Sequence, residues 1–221
     1  GLSVGGFNNY KEMCASILMP GVQHMRHTFL PEHKFVKGQP ETGAELADDL
    51  ETIANKFEGE IAACIVEPIA GSTGALVPPK GYLDRLRKIC DKHSILLIFD
   101  EVITGWGRTG SAFASQEFGV TPDLITMAKA TTNGVVPMGV VAVRDRIYDM
   151  VMDSAPEGAI ELFHGYTYSG IPVAVAAALA VQDIFEKEDI FKRVKEMSPY
   201  FQEGLHSLKD LECIESIRGY G

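Results

Sequence analysis

Apolar positions along this chain follow two rhythms. Leu46, Leu50, Ile53 and Phe57 recur every three or four residues, as do Leu83, Leu86, Ile89 and Cys90. That spacing puts one apolar stripe on an α-helix. Between and after these segments lie short, nearly continuous apolar runs: Ile61 to Glu67 (IAACIVE), Ile95 to Phe99, Asp123 to Met127 (DLITM) and Met138 to Val143 (MGVVAV). Runs of this kind read as strands covered on both faces. Strands alternating with helices predict an α/β fold with a largely parallel sheet.

Punctuation residues refine the pattern. Thr42 with Glu45 predicts a capping box opening the first helix, and the second ends near His93. Pro172 fits the first turn of a later helix. Val173 to Phe185 is apolar nearly all round, which predicts burial. A further helical pattern uses Ile190, Val194, Met197, Phe201, Leu205 and Leu208, with Pro199 predicting a kink or a restart capped by Ser198. The final residues, CIESIRGYG, alternate like a strand, whereas residues 1–42 keep no period.

Composition narrows the function classes. Of 221 residues, 46% are hydrophobic and 23% charged, as in an ordinary globular protein, and the net charge of −10 argues against nucleic-acid or anionic-membrane partners. No apolar run approaches the roughly 18 residues of a spanning helix. Residues 1–10 lack the features of a signal peptide and an initiator Met, so a piece of a longer chain is expected. Cys14, Cys64, Cys90 and Cys213 form no C-x-x-C pair, and Cys64 and Cys90 read as buried free thiols of a reducing cytoplasm. His24 and His27 are three apart but follow Pro20-Gly21 with no acid in step, so they read as surface-loop residues.

The chemistry concentrates in ILLIFDEVITGWGRTG, residues 95–110, where an apolar strand ends in Asp100 and Glu101. Four apolar residues before Asp-Glu imitate the magnesium-binding strand of a P-loop enzyme, yet no Gly-Lys-[Ser/Thr] occurs in the chain to hold phosphates. Gly105, Gly107 and Gly110 match G-x-G-x-x-G, but five residues separate the strand from the first glycine, where a dinucleotide fold turns at once. A third reading adds Lys129, just past the DLITM strand and the only charge between residues 124 and 143. A solvated surface lysine is the plain alternative. A lysine at a buried strand end instead has a costly charge, which makes its amine nucleophilic toward an aldehyde. An acid at one strand end and a lysine past another is the pair that pyridoxal phosphate requires: the acid holds a proton on the ring nitrogen and the lysine anchors the aldehyde.

Four blocks, IVEPIAGSTG, LLIFDEVITGWGRTG, PDLITMAKATTNGVVPMG and HGYTYSGIPVA, together resemble class III aminotransferases of the fold-type-I pyridoxal phosphate enzymes. HGYTYSG and KGQPETGAELAD most resemble the ω-amino acid–pyruvate (β-alanine–pyruvate) members. The resemblance implies that Lys129 is the cofactor-bonding lysine and Asp100 the acid on the pyridine nitrogen. It implies that Val102 packs on a ring face, that Thr167 reaches the cofactor phosphate of a neighbouring subunit, and that Glu67 lies near the cofactor. By their residue types alone, Val102 is equally a core valine, Glu67 a strand-end cap, Thr167 a turn former and Arg108 a brace of its loop.

The resemblance further implies a large domain of mixed, mostly parallel sheet with flanking helices, incomplete here, over residues 1–185, and the truncated start of a small C-terminal domain over 186–221. It implies a cytoplasmic homodimer moving an amino group from an ω-amino acid or amine to pyruvate. Ornithine- or 4-aminobutyrate-type aminotransferases, glutamate-1-semialdehyde aminomutase, a decarboxylase, or a catalytically silent binding protein on the same fold stay open beside it. Departures are plain as well. The family's Ser-Gly phosphate loop, its ring-stacking aromatic and its carboxylate-binding arginine are not visible, and Trp106 stands where Phe is usual. The segment by itself is expected to lack a complete site.

Overall fold

Four strands stand side by side in chain order in the computed structural model, which describes residues 1–221. They are β1 (Ala63–Val66), β2 (Leu96–Asp100), β3 (Leu124–Met127) and β4 (Val140–Val143). β1, β2 and β3 run parallel, and β4 returns antiparallel on β3. The helices are α1 (Asn8–Met13), α2 (Asp48–Lys56), α3 (Tyr82–Lys92), α4 (Ala114–Glu117), α5 (Asp145–Asp153), α6 (Pro172–Lys187) and α7 (Ile190–His206). The fold is α/β with a mixed, mostly parallel sheet: the alternation of patterns predicts its largely parallel character, and the resemblance implies the mixed one.

One face of the sheet carries the core. Leu83, Leu86, Ile89 and Cys90 of α3 and Leu50 and Ala54 of α2 pack on Cys64, Leu97 and Phe99. Ion pairs tie the two helices on their outer side: Arg85 forks onto Asp48 with both distances 2.5 Å, and Lys92 meets Glu51, which also shares a 3.0 Å hydrogen bond with His93 Nε2. Cys64 and Cys90 are buried free thiols, as expected. The hydrogen bond with Cys90, and then burial, push the Cys64 thiol upward. The opposite face of the sheet is open: Ile65 is 40% exposed and Val141 60%.

Several local expectations give way to packing. No capping box forms at Thr42; Gly43 precedes a 3₁₀ turn, Ala44–Ala47, with φ +108°, and the hydroxyl of Thr42 faces His33 Nε2 at 3.4 Å. Only glycine fits there, since a Cβ would lie 2.9 Å from the Pro79 ring. α6 is not a buried helix: Ala174, Ala178 and Val181 are covered, but Val173, Leu179 and Ile184 stand about half exposed because no element of the chain lies over them. α7 runs on through Pro199, so no new helix starts at Ser198. Residues 213–221 form no strand; they dock through Ile217 N–H to Lys34 O, 2.7 Å, and through Arg218, whose Nε donates to Gly74 O at 2.9 Å with the guanidinium over the Phe29 ring. His24 and His27 are exposed in a loop, as read.

Candidate active site

Parallel strands deliver their last residues to one edge of the sheet. β1 ends at Val66 opposite Phe99, so Glu67 follows one strand and Asp100 closes the next. Asp100 pairs with Thr126, and Glu101 N–H donates to Thr126 O at 2.9 Å. Lys129 comes three residues later. Glu67, Asp100 and Lys129 therefore leave the carboxyl ends of three adjacent strands, where open α/β sheets hold their ligands.

Each side chain has a distinct local setting. Asp100 is half-buried, and its Oδ1 accepts the Val102 N–H at 3.1 Å in a turn that aims the carboxylate past the strand end. Its other oxygen accepts no hydrogen bond from the chain. Val102, also half-buried, follows directly. Glu67 Oε2 accepts the Gly71 N–H at 3.0 Å, closing the loop after β1, and Ile103 lies so close on Gly71 that a Cβ there would come within 2.7 Å of it.

Lys129 opens a 3₁₀ turn, Lys129–Thr131, with φ +46°, a left-handed conformation uncommon outside glycine. Its amine makes no ion pair or hydrogen bond. The burial expected for it is not found: Lys129 is exposed. Thr167 is set on a different segment from the other four. It lies in a turn before α6, exposed, with its hydroxyl unpartnered. Arg108 does not brace its loop either; Gly107 and Gly110 back onto Phe191 and Lys195 of α7, and Arg108 points to solvent.

Two acids that the sequence reading passed over hold the site in place. Glu101 is fully buried and accepts from Ala114 N–H (2.6 Å), Ser115 N–H (2.9 Å) and the Thr104 hydroxyl (3.1 Å), fastening the glycine-rich loop to α4. The alternation Leu97, Phe99, Glu101 on the core face was the available signal. Asp123 closes the far end of β3. It accepts Leu97 N–H at 2.8 Å and pairs with Arg87 at 2.7 Å and Arg146 at 2.5 Å. Burial pushes this carboxyl upward, but the Leu97 N–H and the two arginines outweigh it and hold it below the usual carboxylate range.

The residues present suit pyridoxal phosphate: an acid with a free oxygen and an uncommitted amine emerge side by side, beside an apolar Val102. Across residues 1–221 the sequence matches the family model Aminotransferase class-III. The chain is a class III aminotransferase segment. It is 55% identical over its whole length to the omega-aminotransferase of Caulobacter vibrioides and 47% identical to the beta-alanine–pyruvate aminotransferase of Pseudomonas aeruginosa. In each case it spans 50% of the relative's length. Among solved structures, the omega transaminase from Pseudomonas jessenii in complex with PMP superposes with a TM-score of 0.90 at 34% identity, over 100% of this chain and 49% of that one. The fold is thus the large-domain fold of type I transaminases. Pyridoxal phosphate dependence is a general property of the class. A cavity of about 160 Å³ at the start of α3, lined by residues such as Gln39, Lys80 and Phe118, includes none of the candidate residues. They stand instead on the open edge of the sheet.

Proposed function

We propose that the protein containing these residues is a pyridoxal-phosphate-dependent aminotransferase that moves an amino group from an ω-amino acid or amine, such as β-alanine, to pyruvate. The observation that carries this reading is the strand register that brings Asp100 and Lys129 out at neighbouring carboxyl ends. Identity of 47% to a beta-alanine–pyruvate enzyme supports the substrate pair.

When bound, the cofactor supplies an aldehyde for exchange of amines and a ring that accepts electrons. Lys129 anchors it and then carries a proton away from the substrate carbon at Nζ. Asp100 keeps the proton on the ring nitrogen, Val102 limits ring tilt, and Glu67 shapes the neighbouring loop through Gly71. Thr167 serves the phosphate from a second copy of the chain, which makes the active form a homodimer. Residues 1–185 belong to the large domain and 186–221 open the small one. No helix is long and apolar enough to cross a membrane. A cytoplasmic enzyme of small molecules, with no nucleic-acid or membrane partner, agrees with the net charge of −10.

The test incubates the full-length protein with β-alanine and pyruvate and follows alanine. The reading expects one alanine per pyruvate consumed, and a pyridoxyl group on the peptide holding Lys129 after borohydride reduction. Turnover of ornithine or 4-aminobutyrate without alanine from β-alanine would move the protein to a sister activity. Isomerisation of glutamate-1-semialdehyde with no acceptor would indicate an aminomutase, and bound cofactor without any turnover a binding protein.

A further inference from the structure

Beyond the end of the β2–β3 ladder, the loops carrying Asp100 and Lys129 separate, and a single hydrogen bond rejoins them. Trp106 Nε1 donates to Thr131 Oγ1 at 2.9 Å. Thr131 is 2% exposed, and its hydroxyl in turn donates to Ala128 O at 3.0 Å. An indole N–H can only donate, whereas a hydroxyl has one proton and two lone pairs. The polarity of the relay is therefore fixed: Trp106 to Thr131 to the carbonyl just before Lys129. We propose that Trp106 is a positioning residue for Lys129, acting through Thr131 to hold the lysine's turn against the loop that follows Asp100.

The surroundings are built for that task. Trp106 has φ +61°, an unusual backbone for a bulky residue, and keeps it with its N–H on Ala112 O at 2.6 Å. Its ring lies against Phe113, with centroids 5.1 Å apart, and stacks on Phe185 of α6 at 6.3 Å. The indole is thus clamped before it reaches Thr131. Lys129 also holds a left-handed backbone, φ +46°, and its own amine makes no hydrogen bond or ion pair that would enforce it. What keeps the turn in place is its internal bonds, Thr131 N–H to Ala128 O at 3.0 Å and Gly134 N–H to Lys129 O at 3.2 Å, and the indole behind them. Loss of the indole N–H leaves the Thr131 hydroxyl one partner short and frees the turn to swing away from Asp100.

This inference rests on the reading of Lys129 as the cofactor's anchor, and its test separates the two. The full-length holoprotein is compared with Trp106→Phe, Thr131→Val, Thr131→Ser and the pair Trp106→Phe with Thr131→Val. Amide hydrogen exchange over residues 128–134 is measured with and without cofactor. The pH midpoint of the visible absorbance of the lysine-bound cofactor, kcat and KM are measured alongside. Trp106→Phe is expected to speed exchange in that turn about tenfold while leaving α2 and α3 unchanged. It is also expected to move the absorbance midpoint by about half a pH unit and to lower kcat several-fold with little change in KM. Thr131→Val has the same effects, the double variant is no worse than the worse single one, and Thr131→Ser stays near wild type. Wild-type exchange and an unmoved midpoint in Trp106→Phe would overturn the proposal, as would independent, additive effects of the two substitutions. If Trp106→Phe fails to fold, the Thr131→Val and Thr131→Ser pair reads the same relay. Absence of a borohydride-fixed group on wild-type Lys129 would sink the functional reading, and with it the proposed role toward the cofactor.

Discussion

Asp100 and Glu101 are neighbours with the same chemistry and opposite fates. The two-residue period of a strand sends Glu101 to the core face, where three donors meet it, and leaves Asp100 half-buried at the edge with one oxygen free. Replacing each therefore damages a different property. Asp100→Ala in the full-length enzyme is expected to lower kcat by about 10²–10⁴-fold while the borohydride adduct at Lys129 persists. Lys129→Ala removes the adduct and the activity together. Glu101→Ala leaves the buried N–H groups of Ala114 and Ser115 without an acceptor and costs about 2–3 kcal/mol of stability, read as a fall in denaturation midpoint. An unchanged midpoint would mean that the loop and α4 are fastened by other contacts.

At the scale of elements, Asp123 joins four of them: β3, which it precedes, β2 through Leu97, α3 through Arg87, and α5 through Arg146. Its folded carboxyl is depressed, so its contribution to stability is fully present above the ordinary carboxylate value and fades as pH falls through the folded one. Asp123→Asn is expected to lose about 3 kcal/mol near neutral pH, the low end for breaking a buried pair because Arg146 stays largely solvated. That gap should begin to narrow as pH falls below the ordinary carboxylate value and close only below the lower, folded one, where the wild-type side chain is protonated too; thermal denaturation between acid and neutral pH measures it. A gap that stays constant would assign the loss to shape rather than charge. The sequence made the strands legible, because runs such as Ile95 to Phe99 have no other use for so many adjacent apolar residues. It did not make Asp123 legible as a hub, since its arginines come from positions 87 and 146 and only the folded chain brings them together. The capping box at Thr42 failed for a related reason: local chemistry favoured it, but the approach of Pro79 to Gly43 chose a left-handed turn.

The whole molecule leaves a long stretch without cover. Every residue from 156 to 173 is exposed, and this includes Phe163 at 92%, Tyr166 at 75% and Tyr168 at 80%. So much apolar surface on one loop marks an interface, and the same loop carries Thr167, the residue proposed above to serve the cofactor phosphate. The open outer side of α6 and the exposed side of β4 have the same cause as the failed prediction of a buried helix: apolarity in sequence says that a residue will be covered, not by what. Two covers are available, the rest of the same protein or a second copy, and they differ in outcome. If a second copy covers the loop, the full-length protein sediments as a dimer at micromolar concentration. Phe163→Asp then shifts it toward monomer and weakens cofactor binding in parallel, because Thr167 can no longer reach the phosphate across the interface. Thr167→Ala separates the two effects: it keeps the dimer and weakens cofactor affinity about tenfold, as expected for one hydrogen bond to a charged group. A Phe163→Asp protein that stays dimeric and binds cofactor normally would mean that the remaining part of the same chain covers the loop, and Thr167 would then be a turn residue only.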